Sequence, residues 1–237
     1  MGVSVGRIRK GNFMGKDTIN KTDNWLQGEK KEIPDRVMEP AFAYQYEQVG
    51  DKTLEDYIAL PEGTRVELID GIFYDMASTS FGHQGISGEI RAVFSAYIKK
   101  NHGQCKTVQD VDVQLFGDNK TVVRPDVFVV CDRKKITLNR LVGAPDLIVE
   151  VVSPGNWKID VYVKKKKYME AGVREYWLVF PNDRKVQVYC FAESQTPETT
   201  EPKEYTFADK VPVGIWGGKC EVDFTEVYEE VRFLYEG

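Results

Sequence analysis

Two acidic residues lie inside otherwise apolar segments: Asp126 in Arg-Pro-Asp-Val-Phe-Val-Val and Glu150 in Ile-Val-Glu-Val-Val-Ser-Pro. An unpaired buried carboxylate is costly, so each acid needs a compensating metal ion or cation. If the segments are neighbouring strands, about 4.8 Å apart, the two carboxylates lie side by side. Two hard oxygen ligands in that arrangement suit Mg²⁺ or Mn²⁺. The alternative is a pair of buried acids satisfied by Arg124 or by backbone amides.

Asp146 is a competing candidate, because Pro145-Asp146 repeats the Pro-Asp dipeptide. It shares a strand face with Glu150 by parity, but four residues of strand span about 13 Å. These two acids therefore cannot bind one ion. We favour Asp126 as the partner of Glu150 and expect Asp146 to begin its strand.

A lysine two residues after Glu150 would share its strand face and reach a metal-bound water, but that position is occupied by Val152. A cation for the site therefore has to come from outside this strand. In the following helix, Asp160, Lys164 and Tyr168 recur at a spacing of four and share one face. We therefore predict that Lys164 faces the acids. The alternative is that it belongs to a solvated basic run, 164–167.

The surrounding pattern predicts the elements that hold these residues. Apolar residues recur at helical spacing in 53–60, 83–100, 158–171 and 224–235, and β-rich runs occupy 65–69, 72–76, 105–116, 121–130, 146–152, 175–180 and 185–191. Asp70-Gly71 between the first two runs predicts a tight hairpin. The order of elements is typical of an α/β fold with a mixed β-sheet flanked by helices. We predict one domain over residues 49–237 and a polar arm over residues 1–48.

Composition argues against several classes of protein. The 237 residues are 42% hydrophobic and 29% charged, as in globular proteins. No run approaches the roughly 18 apolar residues of a membrane helix, and the first residues lack the apolar core of a secretory signal. Two histidines and four scattered cysteines are a poor zinc set. We expect free thiols and a cytoplasmic location. A net charge of −5 argues mildly against a constitutive nucleic-acid binder.

An ordered set of motifs makes the chain resemble a known family. The motifs are Leu54-Glu-Asp-Tyr57, Glu67-Leu-Ile-Asp-Gly71, Ser80-Phe-Gly-His-Gln84, Pro125-Asp126, Ile148-Val-Glu-Val-Val-Ser-Pro154, Asp160…Lys164…Tyr168 and Glu175-Tyr-Trp-Leu-Val179. They resemble the Uma-two family of endonucleases, within the PD-(D/E)XK restriction-endonuclease-like superfamily. The resemblance runs from about Thr53 to Cys190. One departure is Gly155-Asn-Trp-Lys158, which stands where the family has an arginine-rich loop, so that loop's contribution to substrate binding is not carried over.

The resemblance implies a restriction-endonuclease-like core that hydrolyses phosphodiester bonds in DNA with Mg²⁺ or Mn²⁺. It implies Asp126 and Glu150 as metal ligands, with the backbone carbonyl of Val151 as a third. The superfamily's motif lysine is displaced onto the following helix in this family, which matches Lys164. A homodimer is a further expectation from the resemblance, since such nucleases commonly cut two strands as dimers.

Three other residues are candidates for accessory roles: Glu67, His83 and Asp160. Glu67 would add an acid on the metal side, or would pair with a lysine or arginine across the hairpin. His83 would take part in the site, or would cap and pack the start of the core helix. Glu89 lies on the same helix and could face the metal, but we expect it to be an exposed acid.

Three functions remain open from the sequence. The first is a metal-dependent DNA endonuclease, and the second is a catalytically inactive nuclease-fold module for nucleic-acid binding or assembly. The net negative charge and the lack of an aromatic-studded basic groove keep the second open. The third is hydrolysis of another phosphoester or acid–base catalysis by the two acids. A glycosidase is disfavoured because its carboxyls lie about 5 Å or more apart with no ion between them.

Overall fold

The computed structural model describes residues 49–76, 78–155, 157–191 and 200–236. The arm predicted at residues 1–48 lies outside this part of the chain. The strands are β1 (Val66–Ile69), β2 (Ile72–Asp75), β3 (Lys106–Val108), β4 (Val113–Gln114), β5 (Val122–Val123), β6 (Val127–Val130), β7 (Leu141–Val142), β8 (Leu147–Val151), β9 (Glu175–Phe180), β10 (Lys185–Cys190), β11 (Lys203–Thr206), β12 (Lys210–Pro212) and β13 (Glu221–Asp223). The α-helices are α1 (Leu54–Ile58), α2 (Phe81–Lys100), α3 (Lys165–Glu170) and α4 (Phe224–Glu229).

Within the described residues the strands form two main sheets. The larger has the order β11-β10-β9-β8-β6-β3, in which only the β8–β9 pair is parallel. The smaller has the order β2-β1-β5-β4-β7, and β12 pairs with β13 separately. Mixed sheets with flanking helices confirm the predicted α/β class.

The centre of the larger sheet is covered on both faces, and its strands are accordingly apolar at nearly every position. Every residue of β6, β8 and β9 is buried. Helix α2 packs against this sheet through Ile86, Ile90, Phe94 and Ile98, which recur every four residues and are buried. It begins two residues earlier than predicted, because the hydroxyl of Ser80 accepts a hydrogen bond from the amide of His83.

The hairpin and the first helix agree with the prediction. Thr53 and Asp56 form a capping box at the start of α1. In the β1–β2 hairpin Ile69 pairs with Ile72, and Asp70 and Gly71 have φ of 50° and 77°. Positive φ at both central residues is the requirement of the tight turn that Asp-Gly favours.

Two predicted strands are each divided between the two sheets, so the prediction of one continuous strand was wrong in both places. Residues 105–116 form β3 in the larger sheet and β4 in the smaller, separated by Asp110 at φ 50°. Residues 121–130 form β5 and β6, separated by Pro125, which has no amide proton for a ladder bond. The segment before Asp126 therefore crosses from one sheet to the other, and Asp126 lies where the sheets meet.

The helix after β8 is not the continuous α-helix predicted for 158–171. Residues Ile159–Lys164 form a π-helical segment that continues into α3, and the amide of Lys165 donates to the carbonyl of Asp160. Segments of this kind are rare and frequent at functional sites. The C-terminal helix is also shorter than predicted, since α4 is followed by a separate 3₁₀ turn at Arg232–Leu234.

Two of the four cysteines are bonded. Cys105 and Cys131 form a disulfide next to the paired residues Lys106 and Val130 of β3 and β6, whereas Cys190 and Cys220 are outside any disulfide. The prediction of free thiols was therefore wrong for the first pair. Disulfides persist mainly in oxidising compartments, so the cysteines no longer argue for the cytoplasm. Among the described helices, none has the length and hydropathy needed to cross a membrane.

Candidate active site

Asp126 and Glu150 are brought together at one end of the β6–β8 pair. Val127 is opposite Val149, so the next residues along the two antiparallel strands are the two acids. The amide of Asp126 donates to Oε2 of Glu150 at 3.3 Å, and the amide of Val151 donates to Oδ2 of Asp126 at 2.7 Å. The predicted juxtaposition is present, and the roles of these residues as metal ligands stay predictions.

Lys164 reaches this pair from the π-helical segment. Its Nζ lies 3.1 Å from Oε1 of Glu150, 3.0 Å from Oε1 of Glu67 and 3.3 Å from Oδ1 of Asp160. The ammonium group is buried. Burial alone would lower the pKa of Lys164, but the three carboxylates raise it well above its usual value. Lys164 is therefore kept protonated by the three carboxylates around it.

Burial disfavours the charged forms of the acids around Lys164. Burial raises the pKa of Glu150 well above its usual value, with Lys164 opposing the rise and Asp126 adding to it. Burial likewise raises the pKa of Asp160 to about 6, although Lys164 opposes the rise. One lysine does not balance the surrounding carboxylates, so a further cation would be stabilised here. The hydroxyl of buried Tyr168 also donates to Oε1 of Glu150 at 2.7 Å.

Glu67 joins the site from the hairpin. It lies on β1, and its Oε1 accepts a hydrogen bond from the amide of Arg124 at 2.8 Å as well as contacting Lys164. Its cross-strand neighbour on β2 is Tyr74. Of the two predicted roles, the structure places Glu67 at the acid cluster, where it pairs with a lysine from the helix and not with one across the hairpin.

His83 lies at the site rather than only at the helix end. From the first turn of α2, its Nε2 lies 3.0 Å from Oδ2 of Asp126. Burial lowers the pKa of His83, but the contact with Asp126 outweighs this and raises it above its usual value. The other ring nitrogen, Nδ1, is buried and has no hydrogen-bond partner among the described residues. Ser80 performs the capping that was the alternative role.

Arg124 does not neutralise the two central acids, so the arginine part of the alternative is wrong. The backbone-amide part is present, since the amide of Val151 donates to Asp126 and the amide of Asp126 donates to Glu150. Its guanidinium donates to Oδ1 of Asp112 at 2.8 and 2.9 Å, and the hydroxyl of Tyr57 donates to the same oxygen at 3.0 Å. Arg124 lines the cleft but is paired away from the acids.

Arg65 was missed by the sequence analysis. It lines the same cleft as Glu67, Asp126 and Glu150. The available signal was parity, since Arg65 precedes Glu67 by two residues and alternate residues of a strand share a face.

The donor set fits a hard divalent cation. It offers carboxylate oxygens from two adjacent strands, and the side chain of Asp126 is 17% exposed and faces the cleft. Mg²⁺ needs only one or two carboxylates, because water and phosphate oxygens complete its coordination. In the part of the chain that the structure describes, no three His, Cys, Asp or Glu residues are already placed around one ion position. The structure brings the carboxylates of Asp126 and Glu150 together, and the carbonyl of Val151 as a third ligand stays a prediction.

Comparison with known proteins agrees with the fold. A family model described as Uma2, putative restriction endonuclease, matches residues 54–222. An uncharacterized protein from Synechocystis sp. is 27% identical over 139 residues, which is 57% of this chain and 72% of that protein. The crystal structure of a putative nuclease belonging to DUF820 from Anabaena variabilis matches with a TM-score of 0.63 at 20% identity, covering 76% of this chain and 99% of that one. At that identity the structural match shows a shared fold.

Proposed function

We propose, from the premise that this chain belongs to the Uma2 family of putative restriction endonucleases, that it is a metal-dependent endonuclease hydrolysing phosphodiester bonds in DNA. The observation that carries the proposal is the pair Asp126 and Glu150, hydrogen-bonded through the Asp126 amide, with the ammonium of Lys164 3.1 Å from Glu150. An acid pair beside a protonated amine suits a reaction that binds a cation and develops negative charge on a phosphate.

Asp126, Glu150 and the carbonyl of Val151 would hold Mg²⁺ or Mn²⁺. When bound, such an ion polarises a phosphate oxygen and lowers the pKa of a coordinated water. Asp126 is fixed for this task by the amide of Val151, and Glu150 by the hydroxyl of Tyr168. Side chains held in this way lose little further freedom when a ligand binds.

Lys164 orients the attacking water and stabilises the negative charge that develops on the phosphate. Its ammonium is kept protonated by Glu67 and Asp160, which lie 3.0 and 3.3 Å away. A buried ammonium acts at low dielectric, where its interaction with a developing charge is stronger than in water.

A plasmid-cleavage assay tests the proposal. Wild-type protein should nick supercoiled DNA in Mg²⁺ or Mn²⁺ and be inactive in EDTA, and Glu150→Gln should lose about 100-fold or more of the rate. Glu89→Gln is the matched control, because Glu89 is exposed on α2 away from the cleft. Wild-type protein that leaves DNA intact with both metals, or a Glu150→Gln variant as active as the control, would contradict the proposal.

The second candidate function is the catalytically inactive module. It is favoured by one observation: Lys164 contacts Glu67, Glu150 and Asp160, so the cluster already contains a cation of its own. A Mn²⁺ titration by calorimetry separates the two. Binding of Mn²⁺ that is lost in Asp126→Asn supports the nuclease, whereas DNA binding without any Mn²⁺ binding supports the module.

We also propose a homodimer, which is an expectation from the family resemblance. A homodimer would present two such sites to the two strands of a duplex. Light scattering coupled to size-exclusion chromatography measures this directly, and a mass equal to one chain at all concentrations would exclude it.

A further inference from the structure

Arg65 points toward the cleft because of its place in the hairpin. Its carbonyl accepts a hydrogen bond from the amide of Met76 at 3.0 Å, which extends the β1–β2 ladder one pair beyond Val66 and Asp75. Arg65 therefore has strand geometry and shares a face with Glu67, about 7 Å along the strand. It lines the cleft that contains the acid pair.

The guanidinium of Arg65 differs from the other cations of this cleft. Lys164 contacts three carboxylates and Arg124 contacts Asp112. Among the described residues, Arg65 has no ion pair, and its Nε is buried without a hydrogen-bond partner. A buried donor without a partner is costly, so such a group in a cleft indicates a partner that the chain itself does not supply.

We propose that Arg65 binds a phosphate group of the nucleic-acid backbone next to the one that is cleaved. This inference rests on the proposed nuclease function and adds a binding residue to it. The guanidinium is a planar fork that matches two oxygens of a phosphate, and it is always charged. The acid cluster lines the same cleft and would repel a polyanion, so a cation that is not paired with these acids is needed to hold the backbone there. Arg65 thereby sets the position of the bound nucleic-acid strand relative to Asp126 and Glu150.

DNA binding tests this inference without requiring turnover. The probe is a short fluorescein-labelled DNA duplex, with binding followed by fluorescence anisotropy in Ca²⁺ and gels run to confirm that the duplex stays intact. Arg65→Gln should weaken binding about tenfold or more. The slope of log K against log salt should also become shallower by about one, because one phosphate contact is lost.

Two further variants make the result specific. Arg65→Lys should keep the salt slope of the wild type but recover only part of the affinity, since an ammonium lacks the fork. Arg91→Gln, an exposed arginine on α2 outside the cleft lining, should match the wild type in both affinity and slope. Thermal unfolding of each variant checks that the fold is retained.

The outcomes separate this inference from the nuclease proposal. If the wild type does not cleave DNA but Arg65→Gln still loses affinity and salt slope, the phosphate site stands and the nuclease fails. If the wild type cleaves while Arg65→Gln binds and cleaves as it does, Arg65 has no such role and the nuclease stands. Absence of any duplex binding by the wild type, or equal losses in Arg65→Gln and Arg91→Gln, also overturns the inference.

Discussion

Nζ of Lys164 lies 3.1 Å from Oε1 of Glu150, so the π-helical segment and β8, one of the two central strands of the larger sheet, are joined by a buried ion pair. Neither charge would be stable at this depth without the other. The same contact places an ammonium beside the carboxylate proposed to bind metal. A single side chain is thus required for both the stability of the fold and the proposed chemistry, and the two roles can be measured separately.

Replacing Lys164 with alanine should lower the free energy of unfolding by about 3–5 kcal/mol, because it leaves buried carboxylates without their cation. Urea denaturation measures this change. Lys166→Ala, in α3 two residues further along, is the control and should cost far less, because Lys166 is only partly buried. Equal losses for the two variants would show that the stability of the protein does not depend on the ion pairs of Lys164 with the buried acids.

Mn²⁺ should restore part of the stability lost in Lys164→Ala. With the ammonium removed, Glu67, Glu150 and Asp160 form an uncompensated acidic cluster that a divalent ion can neutralise. The rise in melting temperature on adding Mn²⁺ should therefore be larger in the variant than in the wild type. DNA cleavage should stay absent in the variant even when its stability is restored. Cleavage at the wild-type rate would show that Lys164 has no part in the reaction.

Asp126→Asn should raise the dissociation constant for Mn²⁺ by about tenfold or more, because an amide is a weaker ligand for a hard cation than a carboxylate. Isothermal titration calorimetry measures it. Asp146→Asn is a matched control from the other Pro-Asp dipeptide: Asp146 accepts from the amide of Cys131 and pairs with Arg174, away from the cleft lining. If both variants bind Mn²⁺ equally well, Asp126 is not a metal ligand.

The acid pair was predictable because its signal is local. A carboxylate within an apolar strand is costly, and the parity of two adjacent strands is enough to place Asp126 beside Glu150. The prediction that Lys164 faces the acids came from its spacing of four from Asp160, and the two side chains are in contact in the structure. The π-helical turn was not predictable, because six residues are too few to separate its period from that of an α-helix.

The remaining parts of the site depend on long-range pairing that the sequence does not encode locally. The β-rich run 105–116 carries no mark of its division, and Pro125 marks an interruption in 121–130 without showing that the two parts belong to different sheets. Cys105 and Cys131 become partners only because β3 pairs with β6. Arg65 looks like any charged residue before a hairpin, and its missing partner is visible only when the whole cleft is assembled.

Glu175→Gln should destabilise the fold by about 2 kcal/mol. The buried carboxylate accepts hydrogen bonds from Nε1 of Trp177 at 2.7 Å and from the amides of Gly214 and Ile215 at 3.0 and 2.7 Å. Glutamine replaces one accepting oxygen with a donor, so at least one of these donors loses its partner. Chemical denaturation measures the loss, and Glu89→Gln should leave stability within about 0.5 kcal/mol of the wild type.

The cost of Glu175→Gln should depend on pH. Burial raises the pKa of Glu175 above its usual 4.5, although the three donors oppose the rise. The folded state therefore binds the proton more tightly than the unfolded state, and the stability from this group falls as pH rises from about 4.5 through the raised pKa. The glutamine variant lacks this pH-dependent loss of stability. The difference in free energy of unfolding between the wild type and the variant should therefore shrink as pH rises across that window. A deficit that grows with pH would contradict the argument.

Reduction of the Cys105–Cys131 disulfide should lower the free energy of unfolding by about 3–4 kcal/mol, because the bond closes a loop of 26 residues in the unfolded chain. Urea denaturation with and without a phosphine reductant measures it. The variant Cys105→Ser should already be destabilised and insensitive to reductant, whereas Cys190→Ser should keep the sensitivity, since Cys190 does not belong to this disulfide. DNA cleavage below the melting temperature should be unaffected, because Cys131 follows β6 at the end opposite Asp126. Identical urea midpoints for the oxidised and reduced protein would show that this bond adds no stability.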